Sequence, residues 1–140
     1  MTQVIVFGDV EDALRLYLET QLPLYGVTDA DVACTIPNPR PDKFVTVQRA
    51  GGPQRDIITD SALILVECWA QTGSRAYALA KVVRGLLGDK ALRNQSLSGL
   101  TVYRSQEVAG PAPLPDPDSD QSRYVLTIQV DFRGSVQAPA

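Results

Sequence analysis

The sequence predicts an α+β fold: a two-layer sandwich with a mainly antiparallel sheet of four to five strands and two helices on one face. Three observations predict it. Two segments, about 10–21 and 72–88, repeat apolar residues at helical spacing. Five others are β-branched, aromatic or alternating. Consecutive strand segments mostly follow one another without a helical crossover, which favours antiparallel pairing. Two one-sided apolar stripes need one sheet face to cover, so both helices are expected on the same side.

The expected order is α-β-β-β-α-β-β. Asp9 can cap the first helix, with Asp12 adding negative charge to its first turn. Val10, Ala13, Leu14, Tyr17 and Leu18 form its apolar stripe, and Pro23 and Gly26 end it. Val32, Cys34 and Ile36 alternate as a short strand. The three prolines of Pro37–Pro41 remove three donors, so this segment is a stiff connector. Lys43–Arg49 reads as a second strand, broken by Gly51-Gly52-Pro53. Ser61–Ala70 is the longest apolar run and reads as the central strand. Thr72 or Ser74 can cap the second helix, whose stripe is Ala76, Leu79, Ala80, Val83, Leu86 and Leu87, with Gly88 as terminator. Gly99–Val108 is a fourth strand. Residues 109–122, with four prolines and three aspartates, read as a stiff loop unable to join a ladder. Tyr124–Arg133 alternates as a half-buried strand.

At 140 residues the chain fits one domain, expected over 1–134, followed by a flexible tail over 135–140. It contains no histidine, which excludes Ser-His-Asp triads, Cys-His pairs and histidine-ligated metals. Catalysis is therefore not expected, and neither is a cofactor. The two cysteines, Cys34 and Cys68, are too few for a zinc site and read as reduced side chains in apolar segments. No apolar run approaches the ~18 residues of a membrane span, the N-terminal segment lacks the basic region of a signal peptide, and no membrane partner is expected. The net charge is −3, which argues against a protein that grips phosphate backbones. That charge is uneven: −5 over residues 1–31, +5 over 32–104 and −3 over 105–140, a map able to orient one copy against another.

Few motifs carry chemistry. No glycine-rich phosphate loop is present. Asp116, Asp118 and Asp120 have the spacing that opens a calcium loop, but Gln121 stands where glycine is needed and Thr127 where glutamate is needed. They read instead as a solvated loop or as an acidic interaction arm. Glu67, the one charge inside the central strand, could serve a ligand-binding or enzymatic domain, but no second carboxylate accompanies it. Trp69 is either core or an interface anchor. Arg40, Arg49 and Arg55 cluster around two Pro/Gly-rich turns. With Asp56 and Asp60 they suit salt bridges to a neighbouring subunit, or are scattered solvated charges.

The segments EDALRLYLETQLP, IPNPRPDKFVTVQRAGGPQRDIITDSALILVECWA, SRAYALAKVVRGLLG and VYRSQEVAGPAPLPDPDSDQSRYVLTIQVDFRG resemble, in order and spacing over about residues 9–134, the tail terminator proteins of long-tailed actinobacteriophages. The resemblance implies an α+β fold and a homo-hexameric ring on the head-proximal end of the virion tail. There the family halts polymerisation of the tail tube protein and offers a surface to the head connector. DNA would pass only as cargo through the lumen, repelled by an acidic ring. Another neck or head-completion protein, or a tail tube subunit, remains the alternative. On this reading the interaction residues are Arg40, Arg49, Arg55, Asp56, Asp60, Trp69, Asp116, Asp118 and Asp120, with the last three reaching a neighbour and ordering only in the assembly.

Overall fold

The computed structural model describes residues 3–140. The first helix, α1, spans Val10–Gln21. Asp9 caps it by accepting the Asp12 amide at 3.0 Å, and Glu11 and Asp12 complement the positive end of its dipole. A 3₁₀ turn, Leu22–Tyr25, follows, and Gly26 closes it at φ 85°. The central strand β4 (Thr59–Ala70) leads into α2 (Gly73–Leu86), which Thr72 caps by accepting the Arg75 amide at 3.2 Å.

Among the described residues the main sheet has six strands rather than the four to five expected, because the short Ser96–Leu97 strand also joins its edge. In spatial order they are β2 (Asp31–Ala33), β3 (Phe44–Arg49), β4, β7 (Ser122–Arg133), β6 (Leu100–Pro113) and β5 (Ser96–Leu97). A short helix, α3 (Asp89–Leu92), precedes β5. Ala62, Ile64, Val66 and Cys68 of β4 alternate toward the helices, beside Leu126, Ile128 and Val130 of β7. They bury against Leu14 and Leu18 of α1 and Leu79, Ala80 and Val83 of α2. Both helices therefore cover one face, as the two stripes require. Each leucine so buried contributes roughly 1.5–3 kcal/mol.

The opposite face carries Leu63, Leu65 and Glu67 on β4 and Arg123, Val125, Thr127, Gln129 and Asp131 on β7, with no helix over it among the described residues. Its side chains are mixed and mostly half-buried.

Three further expectations are corrected. The strand expected over Val32–Ile36 is β2, which ends at Ala33 and runs parallel to β3 (Val32 opposite Val45), because the proline-rich connector carries the chain back before β3 begins. Residues 109–113 are not loop but the end of β6: Ala109, Ala112 and Pro113 face Thr127, Val125 and Tyr124. Irregularities between Glu107 and Ala109 and between Ala109 and Ala112 absorb Gly110 and Pro111, so the ladder resumes beyond the donor-less residue. Residues 135–140 are not uniformly free. Ser135–Gln137 forms β8, antiparallel to β1 (Val4–Val6), with Gln137 opposite Val4. Gly134 makes this return possible: a Cβ there would lie 2.8 Å from the Phe7 ring and 2.9 Å from the Val6 carbonyl.

Candidate interaction surface

The residues singled out by sequence fall at the two ends of the β4–β7 pair. At the first end, two loops meet. Arg40, from the proline-rich connector, donates through Nη1 to Asp116 Oδ2 at 2.5 Å, Ser119 Oγ at 3.1 Å and Gln121 Oε1 at 3.4 Å. Gln121 returns a bond from Nε2 to the Pro41 carbonyl at 2.8 Å. The Asp116 side chain is 5% exposed. Bonds from Ser119, the Asp118 amide and Arg40 hold its carboxyl well below the usual carboxylate range. Arg40 and Asp116 are thus joined within one chain, and the arm has a fixed base. Asp118 and Asp120 stay exposed at its tip, and among the described residues neither makes an ion pair. No group of three His, Cys, Asp or Glu among the described residues is placed to hold a metal.

Beside this clasp, Trp69 stacks on Phe44, its cross-strand neighbour, at 4.6 Å and 14°. The Arg123 guanidinium lies 5.6 Å from the Trp69 ring centroid and donates to Glu67 at 3.0 Å. Trp69 is 1% exposed, and its indole Nε1 is buried with no hydrogen-bond partner among the described residues. The chain's own packing therefore takes up the surface of Trp69, and Glu67 is neutralised in place.

At the second end, the hairpin loop between β3 and β4 is closed from within. Arg49 donates to Asp60 Oδ2 at 2.6 Å and to the Gly51 and Gly52 carbonyls at 3.0 and 3.3 Å. Its amide donates to Glu11 of α1 at 2.8 Å. Gly52, at φ 94°, lies so close to β4 that a Cβ would sit 2.2 Å from the Ser61 carbonyl oxygen. Asp56 Oδ1 accepts the amides of Ile58 and Thr59 at 3.0 and 2.8 Å, which lowers its pKa. Ile57, 79% exposed, tips the loop.

Asp131, which sequence reasoning passed over, centres this end. Its carboxylate is 1% exposed and accepts from Ser61 Oγ (2.6 Å), Arg104 Nε (2.7 Å), Arg55 Nη1 (2.8 Å) and, more weakly, Gln129 Nε2 (3.4 Å). Burial pushes the carboxyl up, but the bonds from Ser61, Arg104 and Gln129 outweigh it and hold it below its ordinary value. The one signal in sequence was an acidic residue in a β-branched strand next to the buried Phe132.

The cysteines are both free: Cys68 is buried, with its thiol pKa pushed up by burial, and Cys34 is half-buried.

The chain matches no family model and no curated protein. Among solved structures, it is similar in fold to a chain in the structure described as "Virion of native gene transfer agent (GTA) particle". The TM-score is 0.61 at 16% identity, over 89% of this chain and 95% of that one.

Proposed function

We propose that this protein is a structural component of a phage-type virion and, within it, the tail terminator: a ring that caps the head-proximal end of the tail tube, stops tube growth and receives the head connector. The observation that carries the virion assignment is the fold shared with the gene transfer agent chain along nearly the whole of both chains. The finer assignment rests on the ordered sequence blocks that resemble the terminator family, from PNPRPDKFV to the P-D-P-D-S block before β7.

The structure supports a building block rather than a catalyst. Several of its charged groups form ion pairs that brace loops at the sheet ends, as Arg40 does with Asp116 and Arg49 with Asp60. Braced loops keep a docking surface in shape and lower the entropy cost of association. Six copies in a ring would set one sheet end against a neighbour, the tube protein or the connector.

The test is deletion of the gene from a phage that carries it, read by electron microscopy. Tubes of uncontrolled length that fail to join heads are expected. Uniform tails that join heads normally would reject the role. Imaging the purified protein separates the remaining alternative, since a tube subunit grows into long fibres and a terminator stops at a closed ring.

A further inference from the structure

Asp131 holds Arg55 and Arg104 by one guanidinium nitrogen each, and both side chains stay partly exposed, Arg55 at 53% and Arg104 at 41%. Arg133 stands two residues beyond Asp131, on the same face of β7, exposed and without an ion pair among the described residues. Two arginines thus hold one buried carboxylate, and a third stands two residues along the same strand face. The other acids nearby are engaged, Asp60 by Arg49 and Asp56 by the amides of its own turn. Guanidinium groups fixed in this way present forks matched to carboxylates.

The complement lies at the other end of the same strands. Asp118 and Asp120 tip an arm whose base Arg40 has already fixed. From Ser122, where the arm enters β7, to Asp131 is nine strand steps, about 30 Å. The tip therefore cannot reach the arginines of its own chain. We propose that the Arg55–Arg104–Arg133 end of the open sheet face docks the Asp118/Asp120 tip of a second copy of this chain. The contact is head-to-tail: every copy carries both halves, so it propagates from copy to copy and closes into a ring where the rotation permits. It deepens the terminator reading, and rests on it for the expectation that copies assemble.

Sedimentation velocity on the full chain tests it, at about 0.02 M and about 0.5 M salt. Wild type should self-associate at low salt and dissociate at high salt. Asp118→Lys with Asp120→Lys should weaken association at least about tenfold, and Arg133→Glu should weaken it in the same direction. Among the described residues none of these three side chains holds an ion pair, so melting curves should match wild type. Mixing the two variants in equal amounts should restore association, because the reversed tip meets the reversed end and the native tip meets the native end. A wild type that stays monomeric under all conditions overturns the proposal, as do single variants that associate like wild type or a mixture that does not recover. Tail length in infected cells reads the terminator role separately. Charge-swap recovery alongside normal tails in the deletion would keep the contact and reject the role, and the reverse pattern would do the opposite.

Discussion

Replacing Asp131 by asparagine isolates the charge at the centre of the second sheet end while preserving its shape. The carboxylate accepts three short bonds, from Ser61, Arg104 and Arg55, at 2.6 to 2.8 Å. Removing one member of a fully buried pair costs about 3–5 kcal/mol. Here the two arginines are about half exposed and recover hydration when released, which reduces the cost to about 2–3 kcal/mol. With an unfolding entropy near 2.1 cal/mol/K per residue, that lowers Tm by about 7–10 °C. The pH dependence gives a second handle. The native carboxyl titrates below its unfolded value of about 4, so its contribution is complete above that value and is lost as pH falls through the native pKa. The gap in stability between wild type and Asp131→Asn, measured by urea unfolding, should be widest at neutral pH and shrink below about pH 4. A variant within about 0.5 kcal/mol of wild type at neutral pH, or a gap unchanged down to pH 2, would refute the reasoning.

Trp69→Phe should cost under about 1.5 kcal/mol in chemical unfolding, because it also removes a buried N–H that has no partner, whereas Trp69→Ala should cost about 3–5 kcal/mol. Equal losses would show that the indole N–H is satisfied. Gly52→Ala should destabilise by more than about 2 kcal/mol and Gly51→Ala by about 1 kcal/mol: both have positive φ, but only Gly52 is pressed against β4. Thermal melts that rank the two the other way would contradict the close approach. A double-mutant cycle on Arg40→Ala and Asp116→Ala should give a coupling of about 1 kcal/mol, since Arg40 stays a quarter exposed. Simple additivity would mean that the clasp does not form in solution.

The two long helices were legible because their signals are local. Asp9, the 3.6-residue stripe and Pro23 lie within fifteen residues of one another, and α1 runs over the residues they define. The central strand was legible from its long apolar run, interrupted only by Glu67; only Thr59 and Asp60 were missed, whose polar side chains disguise ladder positions. What escaped depends on partners remote in sequence. A three-residue strand such as β1 has no period to detect and exists because β8 lies beside it. The end of β6 contradicts local propensity, with Pro111 and Pro113 inside it, and survives because β7 supplies a continuous edge across the irregularities. The arginines read from sequence as partners for a neighbouring subunit make ion pairs within their own chain, and for two of them the carboxylate stands far away: Asp116 is 76 residues from Arg40, and Asp131 is 76 from Arg55. No spacing rule connects such pairs before the strands align.

The pairing of β1 with β8 makes the backbone nearly circular. Val4 and Gln137 are ladder neighbours, so a bridge of a few residues between them would seal the chain without bending it. The break could then move to a hairpin tip such as Ile57, where the backbone is exposed. The order of synthesis would change while every strand kept its neighbours. The same adjacency constrains labelling, because anything fused before Val4 or after Gln137 leaves the molecule at one spot. Both fusions would obstruct the same part of an assembly, and a tag meant to leave that part open belongs in a loop instead.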